Sequence, residues 1–133
     1  MNHNDTTGSA TGGVRQLLRL EGLGVLIAAA VLYAQHGAGW GVFAATFLLP
    51  DLAFVAFLAG ARVGALAYNT THSYVGPLLA AAASHYTGLP LTVSLVWAAH
   101  VGFDRALGYG LKYAKGFGFT HLGRIGREAR QAA

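Results

Sequence analysis

The feature that most constrains the fold of this 133-residue chain is the near absence of charge from its central part. Arg62 is the one basic residue between positions 20 and 104, although the chain contains nine Lys and Arg residues. Charged residues make up 11% of the sequence and hydrophobic residues 54%, whereas about 25% of a soluble domain is charged. Because so few charges could not cover a soluble surface, the sequence predicts a membrane protein.

Four apolar segments approach the length that a membrane-spanning helix needs, which is about 20 residues. They are residues 17–33, 40–59, 65–84 and 90–110. Basic residues flank them at the amino terminus, in the second loop and after the fourth segment, whereas the first and third loops have none. Since basic flanks stay in the cytoplasm, we expect an all-α, four-helix transmembrane bundle in the inner (plasma) membrane with both termini cytoplasmic.

Three regions follow from this pattern. Residues 1–13 are small and polar and are expected to be a disordered tail, residues 14–110 form the four-span domain, and residues 111–133 form a basic tail. Thr120 could cap a short helix in this tail that lies on the membrane surface, and a disordered basic tail is the alternative. The chain lacks a basic helix with interleaved aromatic residues, so a nucleic-acid partner is not expected.

The apolar segments contain four costly polar residues. His100 and Asp104 lie one helical turn apart on the same face, Asp51 follows Pro50 at a predicted bend, and His72 lies in a polar stretch. At 1.5 Å per residue, Asp51, His72 and His100 each lie roughly 12 to 15 Å from the cytoplasmic end of a span. The four side chains are therefore predicted to meet.

A bound cation would compensate these groups, because a charge in mid-membrane costs roughly 2.5 to 3.5 kcal/mol. The chain has no cysteine, so the ligands must be nitrogen and oxygen, which suits zinc first, and iron or manganese as alternatives. Three other readings stay open. The cluster could be a proton or ion relay or a structural polar clamp without metal, His72 and His100 could bind haem, or the chain could be a subunit whose partner supplies the chemistry. The Gly- and Ala-rich surfaces also suit a homo-oligomer.

Several short motifs carry a family resemblance. They are Leu18-Arg19-Leu20-Glu21-Gly22, Pro50-Asp51-Leu52, His72-Ser73-Tyr74-Val75-Gly76-Pro77, Gly108-Tyr109-Gly110-Leu111-Lys112-Tyr113 and Thr120-His121-Leu122-Gly123-Arg124. Together they resemble a bacterial membrane family, the domain of unknown function 4260, over nearly all of residues 14–127. The resemblance implies a small multi-span membrane protein with no assigned activity.

A more distant resemblance concerns the chemistry. Pro50-Asp51, His72-Ser73 and the His100-xxx-Asp104 pattern are similar in order to motifs of membrane-bound, metal-dependent hydrolases of the LexA-regulated kind, which are related in pattern to zinc-dependent phospholipase C. This similarity implies a hydrolase acting on a phosphoester or lipid-like substrate, including an anionic lipid, from the cytoplasmic side.

The site hypothesis divides the candidate residues by role. The metal ligands would be Asp51, His72, His100 and Asp104. Water or substrate would be oriented by Asn69 or Ser73, and an anionic headgroup would be attracted by Arg105 with Lys112. Glu21 and His121 could each be an added ligand or a proton carrier, and the sequence leaves their roles open.

Overall fold

The computed structural model describes residues 8–131, and most of them are helical. In chain order the elements are α1 (Gly12–His36), α2 (Trp40–Thr46), a 3-10 helix (Leu49–Ala59), α3 (Ala61–His72), α4 (Val75–Thr87), α5 (Thr92–Leu107), β1 (Phe119–Thr120), β2 (Gly123–Arg124) and α6 (Gly126–Gln131). The two short strands pair antiparallel. The prediction of a mainly helical protein is thus confirmed, apart from this small hairpin.

Two of the four predicted spans are helices long and apolar enough to cross a membrane. They are Gly12–His36 and Trp40–Ala59, the second comprising α2 and the 3-10 helix. Among residues 8–131, no other helix combines this length and hydropathy. The predicted third span is divided, because Ser73 has an extended backbone (φ −97°, ψ 156°) that ends α3 before α4 begins. The predicted fourth span contains α5, which has 16 residues.

The 3-10 helix is unusually long at 11 residues, since such helices rarely exceed four. Pro50 stands in its first turn, where its missing N–H group is not needed. With three residues per turn, Asp51, Phe54 and Phe57 lie above one another on one face. The Phe54 ring lies 5.2 Å from the Tyr68 ring of α3, so this face, including Asp51, is directed at α3.

Helix α5 is the centre of the fold and packs along α1. The two helices approach closely at Gly22 and Gly102, where a Cβ atom on Gly102 would lie 2.6 Å from the carbonyl oxygen of Gly22. Ala99 and Val101 are fully buried nearby, and α4 packs on another side of α5. Because α5 is surrounded in this way, His100 and Asp104 are carried into the interior.

The segment after α5 folds back onto the bundle, and a short helix begins only at Gly126, with α6. The prediction of a helix capped by Thr120 is wrong: Thr120 lies in β1, and its hydroxyl donates to the carbonyl of Gly123 across the hairpin. Gly123 has a left-handed backbone (φ 120°), which a tight turn requires and which glycine adopts without strain. Leu122 is fully buried as a result.

The amino-terminal residues that the structure describes also contact this hairpin. The Ser9 hydroxyl donates to the carbonyl of Thr120 over 2.9 Å, and the Ala10 N–H donates to the carbonyl of His121 over 2.7 Å. Most of the predicted disordered tail, residues 1–7, lies outside the described residues. The two ends of the described chain therefore meet at one end of the bundle.

Candidate metal centre

The four predicted ligands come together at one point. Asp51 comes from the 3-10 helix, His72 from the end of α3, and His100 and Asp104 from α5, and one ligand atom from each lies within 4.8 Å of all the others. The two histidine side chains are buried, whereas 32% of the Asp51 side chain is exposed. The geometric prediction made from helix depth and spacing is therefore realised, and this buried group could hold a metal ion.

The distances between the ligand atoms fit a small coordination sphere. The Nε2 atoms of His72 and His100 are 3.1 Å apart. Asp51 Oδ1 lies 3.0 Å from the first and 3.3 Å from the second, and Asp104 Oδ2 lies 3.5 Å and 3.7 Å from them. Ligands at 2.0 to 2.1 Å from a tetrahedral zinc would be about 3.3 Å from one another. The donor set and its size therefore suit a divalent transition metal.

The same spacing argues against haem between His72 and His100. Nitrogen ligands on opposite faces of one iron would be about 4 Å apart, with a planar macrocycle between them. The two Nε2 atoms are closer than this, and both lie within hydrogen-bonding distance of the same Asp51 oxygen. The space between the two rings cannot accommodate a macrocycle.

The backbone of α3 orients the His72 ring. Its Nδ1 lies 3.0 Å from the carbonyl oxygen of Tyr68 and 2.8 Å from the Thr71 hydroxyl. A proton on Nδ1, donated to this carbonyl, would leave Nε2 with a lone pair for a cation. The Tyr68 ring is stacked on the imidazole with centroids 3.8 Å apart. This arrangement is typical of metal-binding histidines, whose second nitrogen usually donates to a carbonyl or carboxylate.

The His100 ring is held by packing. Its Nδ1 is buried and has no hydrogen-bond partner within residues 8–131, and its ring contacts Phe47 edge-on at 5.2 Å between centroids. Its Nε2 is directed at the cluster, 3.3 Å from Asp51 Oδ1. His100 is therefore placed as a ligand but lacks the hydrogen bond that orients His72.

Asp104 is held by a hydrogen bond from the Tyr68 hydroxyl to Oδ2 over 3.3 Å. Tyr68 thus contacts two of the predicted ligands, His72 and Asp104. No role for Tyr68 was predicted from the sequence. Its spacing from His72, four residues on one helix, puts both on the same face and could have identified it. Trp97 was also missed; its indole N–H donates to the carbonyl of Thr71 over 2.6 Å and joins α5 to α3.

Arg105 and Lys112, which were expected to attract a headgroup, are buried instead. Arg105 is 6% exposed, and its guanidinium donates to the carbonyl groups of His72 and Tyr109. Lys112 is 5% exposed, and its Nζ donates to the carbonyl of Phe117 over 2.7 Å. Burial lowers the pKa of Lys112 to about 8. Both residues are placed to hold the backbone around the site.

Asn69 and Ser73 also face partners other than the four ligands. The Asn69 amide donates to the Lys112 carbonyl over 2.8 Å and accepts from the Lys112 N–H over 2.7 Å, so it fastens the returning segment to α3. Ser73 lines a separate cavity of about 200 Å³ together with Glu21, Arg105 and His121. Burial, and then the charge of Arg105, lower the pKa of His121.

The fold and site define a mostly helical protein with a buried Asp/His/His/Asp group that could hold a metal ion. The chain belongs to the family described as Domain of unknown function (DUF4260), whose model matches residues 15–125. No curated protein and no solved structure matches it. These comparisons bear out the family resemblance noted from the sequence and give no support to the more distant resemblance to metal-dependent hydrolases.

Proposed function

We propose that this chain is an integral membrane metalloprotein that hydrolyses a phosphoester or lipid-like substrate from the cytoplasmic side of the inner (plasma) membrane. The observation that carries the proposal is the convergence of Asp51, His72, His100 and Asp104 within 4.8 Å. Four spans with both termini in the cytoplasm remain the topology we propose.

The outward-facing surface supports a lipid environment. Leu58, Leu66 and Leu78 are 90%, 71% and 68% exposed, and many other large apolar residues on α1, α3, α4 and the 3-10 helix are also exposed. Soluble monomers rarely expose apolar patches beyond a few hundred Å². A bilayer would cover this surface, whereas the buried polar groups lie on the inside of the bundle.

The charge balance supports a metal. Two carboxylates would neutralise a divalent cation, and two imidazoles would complete four nitrogen and oxygen ligands. A metal held here would supply a water molecule that ionises near neutral pH if it took the water as a fifth ligand or if one carboxylate gave up its position. With Nδ1 protonated, His72 would present its Nε2 lone pair to the metal. Tyr68 holds Asp104, and the partly exposed Asp51 marks the side from which a substrate would approach.

A metal-free proton relay is the second candidate, and one observation favours it. His72 Nε2 lies within hydrogen-bonding distance of both Asp51 Oδ1 (3.0 Å) and His100 Nε2 (3.1 Å), and the Tyr68 hydroxyl extends the chain of contacts from Asp104. Such a connected network could pass a proton between the exposed Asp51 and the interior. Proton flux into vesicles that Asp51→Asn abolishes would support this function.

Metal analysis of the purified chain tests the leading proposal. We expect about one equivalent of tightly bound transition metal, since four converging nitrogen and oxygen ligands match the coordination of such an ion. His100→Ala should lose it, and His85→Ala, which changes an exposed histidine of α4, should retain it. Metal below about half an equivalent in the native chain, with the same content in both variants, would overturn the proposal.

A further inference from the structure

An apolar groove of about 330 Å³ lies beside the four ligands. It runs between α2, the start of the 3-10 helix, the end of α3 and the start of α5, and Val42, Val93 and Val96 form part of its walls. Two of its hydroxyl groups, those of Thr46 and Thr71, donate to carbonyl groups of their own helices. The groove therefore offers mainly hydrocarbon surface to a molecule that enters it.

The inner end of the groove adjoins the metal-ligand group. Pro50 and Thr71 line it, and each directly precedes a ligand, Asp51 and His72 respectively. Asp51 is also the most exposed of the four ligands. A molecule whose apolar part fills the groove would consequently hold an attached polar group next to Asp51.

The outer side of the groove faces the surface that we assign to the bilayer. One wall belongs to Trp40–Ala59, which is long and apolar enough to cross a membrane. Leu49 and Val93, which line the groove, are 56% and 67% exposed. The groove thus joins an apolar outer surface to a polar centre. A lipid has the same arrangement, with an apolar tail that could lie in the groove and a polar group that could lie at the four ligands.

We infer that the groove holds an acyl chain of a bilayer lipid, and that the lipid's polar group then lies at the four ligands. The fate of that polar group rests on the proposed function, whereas occupancy of the groove does not. Because the tails of neighbouring lipids are as apolar as the groove, an acyl chain gains little free energy by leaving the bilayer for the groove. The groove's contribution is to fix the position of the reacting group, which is a large part of catalysis.

Photolabelling tests the occupancy directly. The full chain would be placed in phosphatidylcholine and phosphatidylglycerol vesicles containing a phospholipid with a diazirine on its acyl chain, irradiated, and mapped by peptide mass spectrometry. Val96 is 4% exposed and lines the groove, so lipid passing over the outer surface reaches it less readily than an acyl chain lying in the groove. We expect adducts on Val96 and Thr46 in addition to those on the exposed Leu52.

A blocked groove provides the matched comparison. Val42→Trp places a larger side chain in the groove wall and should remove most of the Val96 adducts. Leu66→Trp adds the same side chain on the outward face of α3 and should leave them unchanged. Adducts confined to exposed residues such as Leu52 in the native chain, or Val96 adducts equal in both variants, would overturn the inference.

The outcome separates the two proposals. Labelled Val96 in a chain that holds no metal would support the lipid groove and refute the metallohydrolase. Bound metal and hydrolysis of short-chain soluble phosphoesters, without labelling of Val96, would do the reverse. If both proposals hold, Val42→Trp should raise KM for a long-chain substrate and leave KM for the short-chain substrate unchanged.

Discussion

The Nε2 atoms of His72 and His100 lie 3.1 Å apart although the residues belong to different helices and are 28 positions apart in the chain. With its proton on Nδ1, facing the Tyr68 carbonyl, His72 would present an Nε2 lone pair to both His100 Nε2 and Asp51 Oδ1. The two Nε2 atoms and Asp51 Oδ1 lie within 3.3 Å of one another and cannot all be acceptors in contact, and the buried Nδ1 of His100 has no partner within residues 8–131. A cation between the two rings would be held by the lone pairs of both Nε2 atoms and of the Asp51 oxygen, with the His100 proton then on Nδ1.

Tyr68→Phe tests how far the surrounding hydrogen bonds support the site. The substitution removes the hydroxyl that donates to Asp104 and keeps the ring that stacks on His72. Changes to such supporting groups typically lower metal affinity roughly 10- to 100-fold, and we expect a loss in this range by competition with a chelator. Tyr86→Phe, at an exposed position, is the control, and equal affinities in the two variants would contradict the assigned role.

Gly102→Val should strongly destabilise the bundle. A side chain at this position would meet the carbonyl oxygen of Gly22 at 2.6 Å and the Leu26 nitrogen at 2.8 Å, and backbone atoms cannot move aside as a flexible side chain can. Overpacking typically costs about 1 to 3 kcal/mol, and we expect a loss at or above that range in thermal unfolding in detergent. Gly24→Ala, where a Cβ meets nothing within 4 Å, should leave the melting temperature nearly unchanged.

Lys112 should make the stability depend on pH. The pKa is about 8 in the folded chain and 10.5 ordinarily, so between these values the unfolded chain binds more protons. The free energy of unfolding contributed by this group therefore rises with pH from about 8 to 10.5 and stays at its lower level below that window. Lys112→Met should abolish this part of the rise, measured by thermal unfolding across the window, whereas Lys115→Met, at an exposed position, should retain it.

Asn69→Ala should loosen the returning segment without changing the ligands. It removes two hydrogen bonds to the Lys112 backbone, and each buried group left without a partner costs about 1 to 3 kcal/mol. We expect faster proteolysis within residues 111–125 and an unchanged metal stoichiometry. Thr70→Ala, at an exposed neighbouring position, should be cleaved like the native chain, and loss of metal in Asn69→Ala would instead indicate a direct role in the site.

The ligand set could be predicted from sequence because its constraints are local or follow from depth. The four-residue spacing puts His100 and Asp104 on one face, and a charge within an apolar segment needs a partner. The neighbours of the site could not be predicted in the same way. Asn69 and Lys112 are 43 positions apart and meet because residues 111–125 fold back, which the basic, glycine-containing sequence of that segment did not indicate.

The division of the spans also exceeded what the sequence could specify. Hydropathy measures composition over about 20 residues and does not register the extended backbone of Ser73 that ends α3. Because a proline usually bends an α-helix, a kinked α-helix was expected at Pro50. The structure instead has a 3-10 helix from Leu49 to Ala59. In this 3-10 helix the Phe57 ring packs against Gly64 of α3, and a contact between two elements is not visible in hydropathy.

The 3-10 geometry changes the reach of the chain around Asp51. A rise of about 2.0 Å per residue, against about 1.5 Å in an α-helix, makes the 11-residue segment longer by about 5 Å than the same residues would be as an α-helix. Rewinding it as an α-helix would draw its ends together and turn Asp51 about the axis relative to Phe54. The helix type of this segment therefore determines the position of the Asp51 carboxylate relative to the imidazoles of His72 and His100. A change from 3-10 to α-helix would be detected in the infrared amide bands.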